Sequence, residues 1–218
     1  MLTCDTLNRK VVKCKKCPRL ISYIKTVAKH KVKRFSNEKY WGKPLPSLGN
    51  VNAQLLLIGL APAAHGGNRT GRMFTGDSSG DWVSKVLYAN GFATKPTSTN
   101  KNDGFALVNT YITAAVRCAP PQNKPTKEEL DNCSTYLQSE LEILKNVRVI
   151  ICLGRIAFDS YCKISNIKGI KFAHGKSFIF NNKHIICTYH PSKQNTQTGR
   201  LSWAQWNKIF SDARNLLG

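Results

Sequence analysis

The chain has 218 residues, with 33 Lys and Arg against 12 Asp and Glu, and a formal net charge of +21 at pH 7. This length suits one compact α/β domain and would crowd two. The charge favours a polyanionic partner over a small neutral substrate alone. No apolar run reaches the ~18 residues of a membrane span, and residues 1–5 lack the apolar core of a signal peptide. We therefore expect a cytoplasmic, monomeric protein that binds no membrane.

Four apolar runs of strand length alternate with helix-like or loop-like stretches. They cover residues 54–60, 105–112, 147–153 and 184–189. This alternation favours an α/β fold with a central, largely parallel four-stranded sheet. Asn181 and Asn182 indicate a turn between two strands just before the last run.

Three amphipathic helices are predicted from capping signals and periodicity. Ser78 and Asp81 have capping-box spacing before a helix that runs to about residue 90. Thr126 and Glu129 have the same spacing before a second helix, which places Cys133 on an inward-facing stripe. The third helix lies near the end and carries Trp203, Trp206, Ile209, Phe210, Ala213 and Leu217.

A glycine-rich stretch, residues 59–77, follows the first apolar run directly. Small residues at the end of a strand let a ligand approach the backbone, and amides at a helix start can face an anion. Phe74 is a candidate stacking platform for a base, with an anchor in the core as its alternative. Asp77 has two interpretations, as the cap of the following helix or as a catalytic group.

Cys14 and Cys17 have the spacing of metal ligands, because two intervening residues let both thiolates reach one centre. Cys118 follows the second apolar run, and Cys133 lies on a predicted helix, so these two can complete a four-thiolate site. Spacing alone leaves zinc and an iron–sulfur cluster open. The remaining cysteines in or near apolar runs are expected in the core: Cys152, Cys162 and Cys187.

A basic segment, residues 30–39, precedes Tyr40 and Trp41. One hypothesis makes it a loop that faces nucleic acid. The other makes it a solvated linker that packs through Trp41, and the sequence leaves both open.

Several separated motifs, in a consistent order, resemble those of the iron–sulfur uracil-DNA glycosylases, and most closely the family 5, or type b, branch. They are the glycine-rich stretch, the Cys14 and Cys17 pair, the two later cysteines, and the segment 190–195. The resemblance covers about residues 14–200. It implies a single three-layer αβα domain over residues 1–218, with an N-terminal segment of about residues 1–50 held by a [4Fe–4S] cluster. It also implies a monofunctional enzyme that flips uracil out of DNA and hydrolyses its N-glycosidic bond.

The resemblance also implies roles in catalysis. His190, after the last predicted strand, is expected to stabilise the negative charge of the departing base, with a structural histidine as the alternative. Related branches carry a polar or acidic residue where Leu60 stands, so water activation falls to Asn68, Asp77 or the loop backbone. His65 is ambiguous between the pocket and a phosphate contact. The expected base-binding residues are Gly59, Leu60, Ala61, His65, Phe74, Asn109 and Thr113.

Polar residues after His190 are expected to enter the duplex where the base has left, and the sequence leaves open which one fills the gap. The expected DNA-binding residues are Arg69, Arg72, Ser192, Gln194, Asn195 and Arg200. Small residues follow Thr113 where related branches carry an asparagine, which predicts a looser pocket that admits hypoxanthine or other deaminated bases in DNA. The alternative function is a non-catalytic, basic nucleic-acid-binding protein with a structural metal cluster.

Overall fold

Strands and helices alternate along most of the chain in this computed structural model, which describes residues 3–218. The strands are β1 (Leu48–Gly49), β2 (Leu55–Gly59), β3 (Thr110–Ala114), β4 (Val149–Leu153), β5 (Ser177–Phe180) and β6 (Lys183–Thr188). The helices are α1 (Cys4–Val12), α2 (Pro18–Lys29), α3 (Gly67–Thr70), α4 (Ser78–Ala89), α5 (Lys127–Ile143), α6 (Arg155–Ile164), α7 (Lys193–Gln197) and α8 (Trp203–Leu217). Within these residues no helix is both long and apolar enough to cross a membrane.

The described strands form one sheet in the order β1-β3-β2-β4-β6-β5. The four central strands pair in parallel, which confirms the predicted parallel core. β1 and β5 pair antiparallel at the two edges, so the described sheet has six strands rather than the predicted four. A two-residue strand such as β1 leaves no periodic pattern in a sequence. The predicted turn at Asn181 and Asn182 joins β5 to β6, and both residues have positive φ.

Alternate residues of each central strand face opposite layers of helices. Leu55 and Leu57 pack with residues of α4 and α8 on one face of the sheet. Leu56 and Ile58 pack with residues of α5 and α6 on the other. This alternation follows from the two-residue period of a strand and produces the expected three layers. Cys152, Cys162 and Cys187 lie in the second of these cores, as predicted.

The second strand begins later than the sequence suggests. Residues 105–112 were expected to form it, but β3 is Thr110–Ala114. Phe105 packs in the core and Leu107 against it while both belong to the preceding loop, where Leu107 bridges to Ala93. Apolar loop residues that pack in the core thus give the same sequence pattern as a strand. Because β3 begins at Thr110, Asn109 precedes the strand and is not part of it.

The helix caps decide where the predicted helices begin. α5 starts with the predicted capping box of Thr126 and Glu129, and α8 is present as predicted. α4 is capped instead by Asp77, whose Oδ1 accepts hydrogen bonds from two backbone N–H groups at 2.9 Å. The predicted box at Ser78 is corrected, because Ser78 is already helical while Asp77 has the extended backbone of an N-cap.

A buried ion pair joins the end of β3 to α5. Arg117 Nη2 lies 2.5 Å from Glu140 Oε2, and the two side chains are 1% and 0% exposed. The hydroxyl groups of Ser47 and Thr113 donate to the same carboxylate. The network therefore anchors three parts of the chain that are distant in sequence.

Replacing Glu140→Gln should lower the free energy of unfolding by about 3–5 kcal/mol, because it leaves the guanidinium of Arg117 buried without a counter-charge. Urea unfolding followed by circular dichroism measures the change. Asp212→Asn is the matched control, since it breaks an exposed pair with Lys208 and should cost about 0.5 kcal/mol or less. If both variants lose the same free energy of unfolding, the explanation that burial makes the Arg117–Glu140 pair important is contradicted.

Candidate active site

The carboxyl ends of the four parallel strands meet around one cavity of about 1080 Å³. This edge of an open parallel sheet is where ligands usually bind. The cavity is also large enough for a base with its sugar. The residues that end or follow these strands and line the cavity are Leu60, Ala61, Ala114, Leu153, Gly154, Tyr189 and His190.

Phe74 projects its ring into this cavity from a strained loop. Its φ is +47°, a conformation that costs a non-glycine residue about 1–3 kcal/mol. Two glycines make room for it: a Cβ on Gly59 would lie 2.9 Å from Cζ of Phe74, and one on Gly80 would lie 2.5 Å from the Phe74 carbonyl oxygen. The surrounding packing thus holds an aromatic face in the cavity wall.

His190 lies beside Phe74, with ring centroids 6.1 Å apart and planes inclined by 32°. Its backbone carbonyl accepts 2.8 Å hydrogen bonds from the Asn195 amide and from the Ser192 N–H, which fix the turn. Within residues 3–218 its ring nitrogens have no hydrogen-bond partner. Burial lowers the pKa of His190 to about 4, so at neutral pH the ring is uncharged and offers one N–H donor.

Asp77 both caps α4 and lines the cavity. Oδ1 accepts the two capping hydrogen bonds, whereas Oδ2 has no hydrogen-bond partner within the described residues. A Cβ on Gly66 would overlap Oδ2, so only glycine leaves space for this oxygen. Burial raises the pKa of Asp77, although the capping N–H groups of Gly80 and Ser79 oppose the shift.

His65 opens onto a second cavity, of about 820 Å³, rather than the first. Its Nδ1 lies 3.0 Å from the hydroxyl oxygen of Tyr40. Asp77 and Ala63 line both cavities and mark their shared wall. His65 therefore lies outside the main cavity and does not line the proposed base pocket.

Asn68 is corrected as a site residue, because the structure turns it away from the cavity. It is 1% exposed, and its Nδ2 donates to the carbonyls of Ile24 and Ala64 at 3.3 and 3.4 Å. The side chain thereby ties the glycine-rich loop to α2. It has no access to a substrate water in this position.

Asn109 and Thr113 are also corrected. Asn109 precedes β3 at the amino ends of the parallel strands, where it pairs with Gln54 at 2.9 Å, on the opposite edge of the sheet from the cavity. Thr113 is fully buried and donates to Glu140 at 2.5 Å, on the face of β3 that contacts α5. The two side chains expected to recognise a base therefore form hydrogen bonds within the protein and do not reach the cavity.

Arg69 and Arg72 are corrected from DNA contacts to buried braces of the glycine-rich loop, with 6% and 7% exposure. Arg69 pairs with Glu38 and stacks 3.8 Å from the centre of the Phe35 ring. Arg72 pairs with Asp103 at 2.7 Å. Internal carboxylates and carbonyls occupy both guanidinium groups, which leaves none of their charge for an external phosphate.

The segment after His190 reaches the cavity as expected: Ser192, Gln194, Asn195 and Arg200 all line it. Ser192 caps the short helix α7, and the Asn195 amide is used on the His190 carbonyl. Gln194 and Arg200 are exposed. Of the four, these last two keep their polar groups available at the cavity rim.

The basic segment 30–39 contains a short 3-10 turn, Lys33–Phe35, with exposed cationic side chains. Trp41 beyond it packs against the core, and a Cβ on Gly71 would lie 3.0 Å from its ring. The packing through Trp41 matches the linker hypothesis. A role in facing nucleic acid stays a prediction.

Sequence reasoning missed several cavity residues that come from loops: Gln122, Asn123, Phe172, His174 and Tyr189. Gln122 and Asn123 both have positive φ, at +54° and +58°. An asparagine after two prolines is a weak turn signal, and a histidine in a polar loop carries none. Their convergence depends on tertiary packing.

The four candidate cysteines lie together between α1, α2, β3 and α5. Cys17, Cys118 and Cys133 are 8%, 6% and 5% exposed and belong to one apolar cluster. Burial, and then the neighbouring cysteines, raise the pKa of Cys118; burial also raises the pKa of Cys133, to about 11. Cys14 is among those neighbours. Within residues 3–218, however, no group of three or more His, Cys, Asp or Glu side chains has the arrangement of a site for a metal ion.

The fold and this cavity define a member of the Uracil DNA glycosylase superfamily, whose family model matches residues 46–214. The chain belongs to that superfamily. It is 45% identical to the type-5 uracil-DNA glycosylase of Pyrobaculum aerophilum, over 91% of this chain and 86% of that protein. It is 43% identical to the type-5 enzyme of Thermus thermophilus, over 94% of each chain. The type-5 enzyme of Mycobacterium leprae is 41% identical, over 97% of this chain and 95% of that protein.

Proposed function

We propose that this protein is a monofunctional uracil-DNA glycosylase, which hydrolyses the N-glycosidic bond of uracil in DNA and leaves an abasic site. One observation carries the proposal: a neutral, unpaired His190 ring lies beside the Phe74 face in a cavity that Asp77 also lines. The family membership and the names of the relatives agree with it.

Extracting a nucleotide from the duplex costs a few kcal/mol of stacking and pairing energy. Contacts between the base and the pocket must compensate for that cost. The Phe74 ring supplies a stacking surface worth about 1–3 kcal/mol per base. Because packing against Gly59 already holds the ring in place, little further ordering is needed when the base arrives. This rigidity supports a role for Phe74 in binding the flipped base.

Breaking the N-glycosidic bond leaves negative charge on the departing base and positive charge on the sugar. A neutral His190 can donate its N–H to a base carbonyl oxygen, and this hydrogen bond strengthens as the charge develops. The ring is half-buried in the cavity wall, so a base that fills the cavity excludes water from that donor. The burial that lowers its pKa thus also makes the interaction stronger.

Asp77 is our candidate for holding the attacking water, through the carboxylate oxygen that the helix cap leaves free. Leu60 is apolar, so the first variable position of the glycine-rich stretch offers no side chain for this task. The cap fixes the orientation of the carboxylate, and the space left by Gly66 admits its second oxygen. Asp77 would then orient the water and accept its proton as the sugar cation forms.

The pocket is proposed to accept hypoxanthine and other deaminated bases as well as uracil. Ala61, Ala63 and Ala114 line it where a longer amide side chain would restrict entry. A site rejects an analogue strongly only where its buried polar groups form hydrogen bonds with the correct substrate that the analogue cannot form. DNA with deaminated bases is therefore the proposed substrate, and the net charge of +21 suits that polyanion.

The four cysteines are proposed to hold a [4Fe–4S] cluster. Three of these cysteines share one apolar cluster, and Cys14 acts on two of them through its charge, so the four thiols belong to one region. Four cysteines can each bond a different iron of such a cluster, and the resemblance to the iron–sulfur uracil-DNA glycosylases supports it over zinc. When bound, the cluster would supply structural cross-linking, because Cys14 and Cys17 lie between α1 and α2 while the other two lie beyond β3 and on α5.

The activity is tested on a labelled duplex with one G·U pair, beside matched G·T and I·T duplexes. Alkali-dependent cleavage at uracil is expected, with cleavage at inosine if the pocket is broad. His190→Ala should lower the single-turnover rate about 10²–10³-fold, with little loss of DNA binding, because it removes an anion-stabilising donor. Binding without base release by the wild type would favour the non-catalytic alternative. Wild-type rates in the variant would remove His190 from the mechanism.

Asp77→Asn should keep the helix cap and the stability, since asparagine caps as well as aspartate. It should nevertheless lower the rate about 10²–10⁴-fold, because an amide cannot accept the proton of water. In the wild type the rate should fall with falling pH, at a midpoint above the usual aspartate pKa, since burial raises the pKa of Asp77. Single-turnover rates against pH, with thermal unfolding as control, measure both. A variant with the wild-type profile would contradict the assignment.

Cys118→Ser should abolish the cluster, seen as loss of brown absorbance and of iron and acid-labile sulfide in equal amounts. It should also destabilise the attachment of α1 and α2, which proteolysis of the N-terminal segment measures. Cys162→Ala is the matched control, because this buried cysteine lies in a different core and should keep the cluster. Wild-type protein that binds zinc but no iron would overturn the cluster proposal.

A further inference from the structure

His174 lines the same cavity as His190, on a loop that no sequence motif marks. Its ring stacks on Tyr189, with centroids 4.8 Å apart and planes inclined by 13°. His174 is half-buried, while Ala173 and Gly175 on either side of it are exposed. The histidine therefore stands at the rim of the cavity rather than at its floor.

A backbone hydrogen bond fixes the tautomer of His174. The N–H of Tyr189 donates to Nδ1 at 3.3 Å, and the hydroxyl of Thr188 lies 3.3 Å from the same nitrogen. A backbone N–H can only donate, so Nδ1 is the acceptor and the proton of the neutral ring is on Nε2. Burial lowers the pKa of His174, which favours this neutral form. Nε2 has no hydrogen-bond partner within residues 3–218 and is a preset donor.

Arg200 contacts the same aromatic ring. Its guanidinium carbon lies 4.3 Å from the centre of Tyr189, and the side chain is exposed. Among the described residues it has no carboxylate partner, in contrast with Arg69 and Arg72. A neutral donor and an unpaired cation are thus both held within 5 Å of one ring centre at the rim.

We propose that His174 and Arg200 together bind one backbone phosphate of the DNA strand, next to the nucleotide that enters the cavity. A phosphate oxygen accepts hydrogen bonds from both groups, and a base edge would offer nothing for the charge of Arg200. In the proposed complex the base lies deeper, stacked on the Phe74 ring with His190 at its edge, which leaves the backbone to pass the rim. This inference rests on the proposed glycosylase function.

Binding is measured on a duplex with a tetrahydrofuran abasic analogue in place of the uracil nucleotide, so no reaction interferes. His174→Phe keeps an aromatic ring on Tyr189 but removes the donor, and should weaken binding on the order of tenfold. His174→Gln returns an N–H donor and should restore most of the affinity. The salt dependence should be unchanged in both, because neutral His174 carries no charge. In Arg200→Gln the log–log salt slope should fall by about 0.9.

Neutral methylphosphonates are then placed at one phosphate at a time near the analogue. The wild type should lose affinity strongly at one position, and His174→Phe and Arg200→Gln should each lose less at that same position than elsewhere. If the loss of affinity from each methylphosphonate and the loss from each protein variant simply add at every position, the inference is overturned. Unchanged binding of His174→Phe with a slower uracil release at saturating DNA would also overturn it, because that result would place His174 at the base.

The two proposals fail differently. Uracil release by the wild type, without coupling between the variants and any methylphosphonate, rejects the phosphate site alone. No release from the G·U duplex rejects the proposed function itself. If His174→Phe does not fold, as judged by circular dichroism, His174→Ala, which also lacks the donor, replaces it in the coupling measurement beside Arg200→Gln.

Discussion

Parallel pairing of four buried strands is the constraint on which the rest of this molecule depends. Strands β2, β3, β4 and β6 are covered by helices on both faces, because the chain must cross a face of the sheet before it can begin the next parallel strand at the same end. The chain after each strand therefore emerges at one edge. The loop with Phe74, the turn with Gly154 and the turn with His190 meet there without any local sequence signal that links them.

The glycines in and around the glycine-rich loop leave space for the larger side chains that form the cavity wall. Gly59 and Gly80 leave room for Phe74, and Gly66 leaves room for the carboxylate of Asp77. The same loop turns Arg69 and Arg72 inward, where Glu38 and Asp103 neutralise them. A positive φ at Phe74 is tolerated because these contacts hold the loop from several sides. The result is a wall that is set before any ligand arrives.

Arg117 connects the sheet to the cysteine region. Its side chain pairs with Glu140 inside the core, and the next residue is Cys118. Its positive charge and its backbone also act on Cys133, where both oppose the rise in thiol pKa. The position of the cysteines thus depends on the same buried network that fixes the end of β3. Stability of the fold and geometry of the cysteine set are consequently coupled.

The class of fold, the main helices and the motifs at the site could be predicted from the amino-acid sequence. Apolar runs and the capping box at Thr126 are local signals, which survive in any context that buries them. Phe74 and His190 were marked by the resemblance of their motifs, and both line the cavity. Sequence reasoning misjudged Asn68, expected to activate water, and Asn109 and Thr113, expected to recognise the base, because the side chains of all three bind internal partners.

Which polar groups remain free to bind a ligand depends instead on how distant segments pack together. A side chain of the right chemistry serves a site only if the fold leaves its hydrogen-bonding atoms unpaired, and residue type does not encode that. Arg69 and Arg200 have the same guanidinium group, yet one is spent on Glu38 and the other stays exposed over Tyr189. The difference lies in long-range packing, because the partner of each group comes from a segment distant in the chain or from none.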